Sequence, residues 1–456
     1  MISYRNYIFL IVILIASSIS RLEAQDNTNI FLRGVPQRTI MNPALKPTSG
    51  WYIAFPALGG VQINGSNSGF SWNDIIRPSG KGDSLMVDLD YVSTQIQDNN
   101  FFTTEATLQL LGFGFERGRS FFSLDINHKL KARANYPKAL FDLRLGNWNY
   151  NGDMPINHDL SDMYVKGIDY TEIALGWSYE INEKVRIGTR IKALLGVAMV
   201  ESESIDMQFI TSQNSLLSLS GNASIRTNLP MDIYYDEDGY VKDVDFTNEF
   251  GAEDFLATDN LGFGIDFGGS FQITDKLHVG ASLIDIGSIT FSTDVTEFST
   301  TGTYSYLGAD VSDEIASDDD DSDDYWDEVE EEFKDAFKVT DSEGDYTTNL
   351  MGSFILNADY QVKDWWSIGL LSRNYNINEF FVPEVSIATG FTHKKWLSSV
   401  LSYSMKKNAP ANIGFGLAFN AGPFQIYGVT DNFDALFNLE SAKYINGRIG
   451  VNLIFD

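Results

Sequence analysis

The 456-residue sequence contains no cysteine. Disulfide scaffolds, thiolate zinc sites and thiol catalysis are excluded at once. Basic residues are also scarce: 32 Lys+Arg stand against 62 Asp+Glu, giving a formal net charge of −30. Such a chain lacks the cationic surface that neutralises phosphates, so nucleic acid is not a partner. Histidine is limited to four residues, His128, His158, His278 and His393, which are scattered rather than spaced as ligands. No G-x-S-x-G, H-E-x-x-H, P-loop or helix-opening G-x-G-x-x-G is present, so an enzyme is not expected and no cofactor is implied. Past the N-terminus, no apolar run approaches the roughly 18 residues of a spanning helix.

Aromatics are abundant at 13%, and 38 glycines accompany them, a pairing that points to β-structure. The first 24 residues read as an export signal. Arg5 is the positive start, Tyr7 to Ala16 is an unbroken apolar run, and small residues lead to a cleavage site near Ala24. The run is too short for a membrane anchor. An exported chain without spanning helices is either soluble or a β-barrel, whose strands a hydropathy scan does not show.

Period-two alternation decides between these. Leu261, Phe263, Ile265, Phe267, Phe271 and Ile273 share one face of a segment whose other face is Gly262, Gly264, Asp266, Gly268, Ser270 and Gln272. Thr171–Ile181, Val185–Val197 and the stretch around Ile413–Phe419 alternate similarly. Segments of about 10 to 14 residues exceed the usual soluble strand and suit a tilted membrane-crossing one. Three related turns join such segments: Glu180–Gly188, Gln272–Gly280 and Gln361–Gly369, each restarting with an apolar residue and then glycine. Short turns on one side and long excursions on the other (132–168, 228–259 and 292–347) describe an outer-membrane barrel with its tight turns in the periplasm. The last strand alternates through Ile449, Val451, Leu453 and Phe455, one residue short of the end. The fold class expected is therefore all-β: a transmembrane outer-membrane barrel of about 14 antiparallel strands, within about 12 to 16, the higher count requiring Glu203–Thr211 and Leu216–Arg226 in the wall. The divisions expected are a signal at 1–24, a lumenal hatch at 25–49 and a barrel at 50–456, with an acidic outer loop at 292–347. The location expected is the outer membrane of a Gram-negative bacterium after Sec export, with membrane lipid as the first partner.

Candidate sites follow from the polar faces. Glu172, Arg186, Arg190, Lys192 and Asp266 would line the lumen with Lys129, Lys131, Glu180 and Asp359, either as cross-strand ion pairs that fill it or as a selectivity ladder. Asp310 to Asp335 holds 15 acidic residues and one lysine. It reads first as a solvated, self-repelling loop. Asp319, Asp321, Asp323, Asp327 and Glu330 match EF-hand positions 1, 3, 5, 9 and 12 as a Ca²⁺ candidate, but Asp324 stands where that loop turns on glycine. Tyr325–Phe337 would form an amphipathic helix with Trp326, Val329, Phe333 and Phe337 on one stripe.

Residues 25–49 are not strand-like and contain Asn42-Pro43-Ala44. Asn-Pro opens a turn and cannot lie in a central strand, so the segment must be housed elsewhere, and the lumen is available. Here the sequence resembles the FadL-like outer-membrane superfamily, whose N-terminal hatch carries an Asn-Pro-Ala motif before a barrel of about 14 strands. Phe31–Gly34, Asn42–Leu45, Asn64–Ile76 and Tyr170–Leu195 resemble an uncharacterised family of exported barrels within it. The resemblance implies either a passive conduit for small hydrophobic or amphipathic molecules, gated by the hatch, or a structural or adaptor barrel binding protein partners, as the PorV-like subunit of a secretion apparatus does. The fold alone does not choose between them.

The orientation is testable in a chain without native cysteine. Ser322→Cys is expected to react with an impermeant thiol reagent on intact cells, and Thr274→Cys is not. Labelling at Thr274→Cys alone would reverse the orientation.

Overall fold

The computed structural model describes residues 27–78, 85–143, 148–149, 154–161, 163–212, 216–247, 254–306, 331–377, 380–406 and 409–455. The export signal and all five Ca²⁺ candidates lie outside these residues.

Fourteen antiparallel strands close into a barrel. They are β1 (Trp51–Ala54, resuming at Val61–Asn67), β2 (Asn99–Arg117), β3 (Ser120–Pro137), β4 (Tyr164–Asn182), β5 (Val185–Thr211), β6 (Leu261–Thr274), β7 (Leu277–Phe291), β8 (Ser353–Lys363, preceded by Tyr346–Asn349), β9 (Trp366–Ile377), β10 (Phe380–His393), β11 (Leu397–Lys406), β12 (Ala409–Ala421), β13 (Phe424–Thr430) and β14 (Tyr444–Phe455). Each pairs with its neighbour in sequence, and β14 closes on β1 through Trp51 opposite Phe455 and Val61 opposite Ile449. Closure gives every described wall strand a neighbour on each side, which is what permits a sheet to stand in hydrocarbon.

Outward positions carry the apolar alternation. Phe263, Phe267, Leu283, Leu356, Leu370, Ile387 and Leu401 are exposed on the wall. Rings gather beside the tight turns: Trp51 stacks on Phe455 at 3.8 Å, Phe115 on Phe122 at 5.4 Å, Trp365 on Phe391 at 6.2 Å, and Trp396 meets Phe419 edge-on at 5.7 Å. Such a row marks the headgroup level at that end of the barrel. No helix among the described residues is long and apolar enough to cross a membrane; the strands do so.

The wall departs from expectation in length. β2 and β4 have 19 residues and β5 has 27, about 90 Å of extended chain at 3.3 Å per residue. The excursion expected from 132 is wall until Pro137, and wall resumes at Tyr164. The two segments offered as fifteenth and sixteenth strands stay out of the barrel. The far end of β5 pairs with Leu217–Thr227, which pairs in turn with Thr296–Tyr306, forming a sheet that projects past the wall. Val339–Glu343 adds to it, and the hairpin of Met231–Tyr235 and Val241–Phe246 touches its edge at Val339. The expected loops are thus partly strand, because each carries its own alternation once it leaves the membrane. In this sheet the Ser224 hydroxyl and the Arg226 guanidinium hold the Glu297 carboxyl below the usual carboxylate range. Residues 331–336 are helical and lie on the sheet. Phe333 meets Tyr304 edge-on at 5.7 Å, and only a missing β-carbon at Gly302 admits the Ala336 carbonyl.

Candidate functional site

The lumen is filled from two sides. One filling is residues 27–49, which enter as two short 3₁₀ turns, Thr28–Phe31 and Pro36–Ile40, because Pro36, Pro43 and Pro47 deny them a ladder. Ile30, Phe31, Leu32, Val35 and Met41 are buried against Ile284, Ile355, Leu371, Ala388, Val400, Ala418, Tyr427 and Val429 of the wall. The segment forms a plug, apolar where it meets β7 to β13.

Polar ties fix it at five levels. The amides of Asn27 and Thr28 both donate to Asp431 at 2.8 Å, and the Asn27 side chain donates to Glu384 at 2.5 Å. Arg33 pairs with Asp359 at 2.5 Å. Gln37 donates to Gly59 O, Gln109 and Asn452 at 2.8–3.0 Å, a knot that also holds the inward kink of β1. The Asn42 side chain donates to the carbonyls of Gly269 and Ala281 at 3.3 and 3.5 Å and accepts from the Ala44 amide at 2.9 Å. Lys46 pairs with Glu116 beside the first tight turn.

The Asn42-Pro43-Ala44 turn rests on a glycine floor. A β-carbon at Gly188 would stand 2.4 Å from the Pro43 carbonyl, one at Gly268 would stand 2.2 Å from Asn42 Oδ1, and one at Gly280 would stand 2.9 Å from Asn42 Nδ2. A β-carbon at Gly369 would meet the Phe31 ring at 2.2 Å. Gly188, Gly280 and Gly369 are the glycines that end the three repeated turns. Their repetition belongs to the plug's seat as much as to the hairpins.

The second filling is ionic. Lys129, Lys131, Arg190 and Lys192 meet Asp125, Glu172, Asp266 and Asp285, four charges of each sign, all buried. Lys192, 0% exposed, lies 2.5 Å from Asp285, 2.7 Å from Asp266 and 2.9 Å from Glu172. Lys129 pairs with Glu172 and Lys131 with Asp285, both at 2.7 Å, and Arg190 reaches Glu172 and Asp266 at 3.3 Å. A gap of about 10 Å³, room for one water at most, lies between Arg190 and Pro43.

Four of the five expected lumen residues, Glu172, Arg190, Lys192 and Asp266, thus sit in one network. Arg186 does not: it pairs with Glu180 at 2.8 Å near the tight turns, four residues along β5 from Arg190. Asp359 turns instead to Arg33 of the plug. Sequence reasoning missed Asp285. Strict alternation along β7 sends it outward with Leu283. A bulge between Ile265–Ile286 and Phe267–Leu283 turns both Ile284 and Asp285 inward, with Asp285 at φ +57°. The outward Leu283 and Ile286, three apart, carried that signal. Among the described residues no three His, Cys, Asp or Glu side chains converge as metal ligands.

The family of unknown function DUF5723 matches residues 43–431. The chain belongs to that family. No curated protein matches it. Among solved structures it is similar to the toluene transporter TbuX of Ralstonia pickettii (9% identity, TM-score 0.43, covering 95% of this chain and 99% of that one). It is likewise similar to the toluene transporter TodX of Pseudomonas putida (10%, TM-score 0.41, covering 95% and 97%). A third is a FadL homologue of Pseudomonas aeruginosa (10%, TM-score 0.40, covering 96% and 100%).

Removing one member of the ionic network leaves a buried charge uncompensated. Lys192→Met is expected to cost about 3–5 kcal/mol. Arg186→Met, whose partner Glu180 has a side chain 38% exposed, is expected to cost less than about 1 kcal/mol. Urea titration of the folded, fast-migrating gel band measures both. Equal midpoints for the two variants would remove the network from the stability of the barrel.

Proposed function

We propose that this barrel is a passive conduit for small hydrophobic or amphipathic molecules, gated by the N-terminal plug. In this reading the chain is exported, loses residues 1–24 and inserts into the outer membrane of a Gram-negative bacterium with its tight turns towards the periplasm. The observation that carries it is the apolar seam between plug and wall. Ile30, Phe31, Leu32, Val35 and Met41 are not part of the wall, yet they cover a wall face of Ile355, Leu371, Val400 and Val429. When they withdraw, an apolar guest replaces apolar contacts one for one. The opposite half of the lumen, with its eight paired charges, offers such a guest nothing. Greasy linings discriminate by only about 1–3 kcal/mol per methylene, so the reading reaches a chemical class and no single cargo.

The sheet projecting from β5 favours a second reading, an adaptor barrel that displays a surface to protein partners such as those of a secretion apparatus. Co-purification from native outer membranes separates the two: a stoichiometric protein partner with an empty lumen supports the adaptor.

The gate is tested by locking it. Thr28 Oγ1 and Ser402 Oγ are 2.6 Å apart, which brings their β-carbons within reach of a disulfide. In proteoliposomes, Thr28→Cys with Ser402→Cys is expected to slow entry of an uncharged apolar fluorophore to the rate of protein-free vesicles when oxidised. Reduction is expected to restore it. Gly188→Val, which unseats Pro43, is expected to raise entry several-fold over the unmodified barrel. Entry indifferent to both the bond and the plug's seat would sink the conduit.

A further inference from the structure

Away from the lumen, a cleft of about 560 Å³ opens at the end of the barrel opposite the tight turns. It lies between the hairpin of Met231–Tyr235 and Val241–Phe246 and the start of the projecting sheet at Val295 and Thr296. Its size falls within the range of ligand clefts, about 300–1,000 Å³. Its lining has two chemistries. Most of its accessible lining is polar, with the exposed carboxylates of Asp294, Glu343 and Asp345 along the rim, and Met231, Ile233 and the largely buried Val295 supply a smaller apolar floor. All three rim carboxylates are exposed, and none pairs with a cation among the described residues.

We infer that this cleft is a docking site for a basic, extended segment of a partner protein, with an apolar side chain between its lysines or arginines. The inference does not depend on the conduit reading. Charge complementarity selects the occupant. The chain's own tract of Asp310–Asp335 repels the rim, and so does a second copy of a molecule at −30. A bare metal ion or polyamine has no use for the apolar floor. An extended peptide uses the floor and the rim together. It also finds backbone groups beside the cleft, because among the described residues Met231–Tyr235 pairs only with Val241–Phe246 and keeps one edge open.

The test uses the full barrel in nanodiscs at physiological salt. A decapeptide of alternating Lys and Leu is the probe, with a Lys–Ser peptide as the purely cationic control. The Lys–Leu peptide is expected to bind saturably, one per barrel, and at least about tenfold more tightly than Lys–Ser. Combining Asp294→Asn, Glu343→Gln and Asp345→Asn is expected to weaken it at least about tenfold, as losing three exposed ion pairs together would. These are three of 62 acidic residues, so diffuse attraction to the molecule is left nearly intact. Ile233→Ser is expected to weaken Lys–Leu and leave Lys–Ser unchanged, and the folded gel band verifies each variant. Undiminished binding to the triple variant would overturn the site, since the charge holding the peptide would then lie elsewhere. Equal affinity for the two peptides would also overturn it, since the floor would then be unused.

Discussion

Lys192 has no exposed surface and touches three carboxylates, and much of the barrel is arranged so that this is affordable. An ammonium and its partners brought out of water lose several kcal/mol of hydration each, recovered only if charges balance and every group finds a partner. Here the balance is four against four, spread over β3, β4, β5, β6 and β7. Register makes it possible. Lys192 faces Gly264 on one side and Ala174 on the other, so its long stem crosses small neighbours to reach Asp266 and Glu172. The bulge in β7 then adds Asp285, which takes Lys131 and Lys192, while its amide donates to Asp266 at 2.7 Å. Without that bulge, four cations would face three carboxylates.

The plug obeys a different constraint. It is held by polar groups at a few points and by apolar contact between them, and its closest approaches depend on what the wall lacks. Glycines at 188, 268, 280 and 369 let a turn and a phenyl ring lie directly on the strands. A larger residue at any of them meets plug atoms well inside van der Waals distance, and at Gly188 the obstacle is backbone, which cannot rotate away. The tight-turn repeat therefore has two causes in one motif. The turn residues satisfy the hairpin, and the glycine beyond them clears the lumen.

The fold was largely legible in the sequence because membrane strands leave a strong mark: apolar outward, small or polar inward, over more residues than a soluble strand needs. Phe263, Phe267, Ile187 and Ile191 all face outward as alternation requires. Strand ends were less legible. Outside the membrane the outward face has no reason to be greasy, so β5 continues through Glu201 and Ser204 without a signal that distinguishes strand from loop. In the site, the residue types of the ionic network were legible, but not its composition. A bulge changes which face a side chain takes and is encoded in a single break of phase, which is why Asp285 escaped; Arg186, in correct phase, makes its cross-strand pair with Glu180 near the turns and stays outside the network.

The two fillings divide the work of the lumen. The ionic half is costly to open, because moving one member strands a charge and its neighbours follow; such a network behaves as a unit. The apolar half is bounded on one side by a segment whose backbone is laddered to no described strand and which side chains tie to the wall. Its ties at Asp431, Glu384 and Asp359 are polar contacts of the kind that water can replace. If the barrel is the conduit proposed above, passage would run along β7 to β13, beside the plug, with the ionically packed β3 to β6 as the opposite wall. For a conduit, that asymmetry would set selectivity. A charged solute would have to travel a greasy face without partners, whereas an uncharged one meets only the side chains that Phe31 and Leu32 already satisfy.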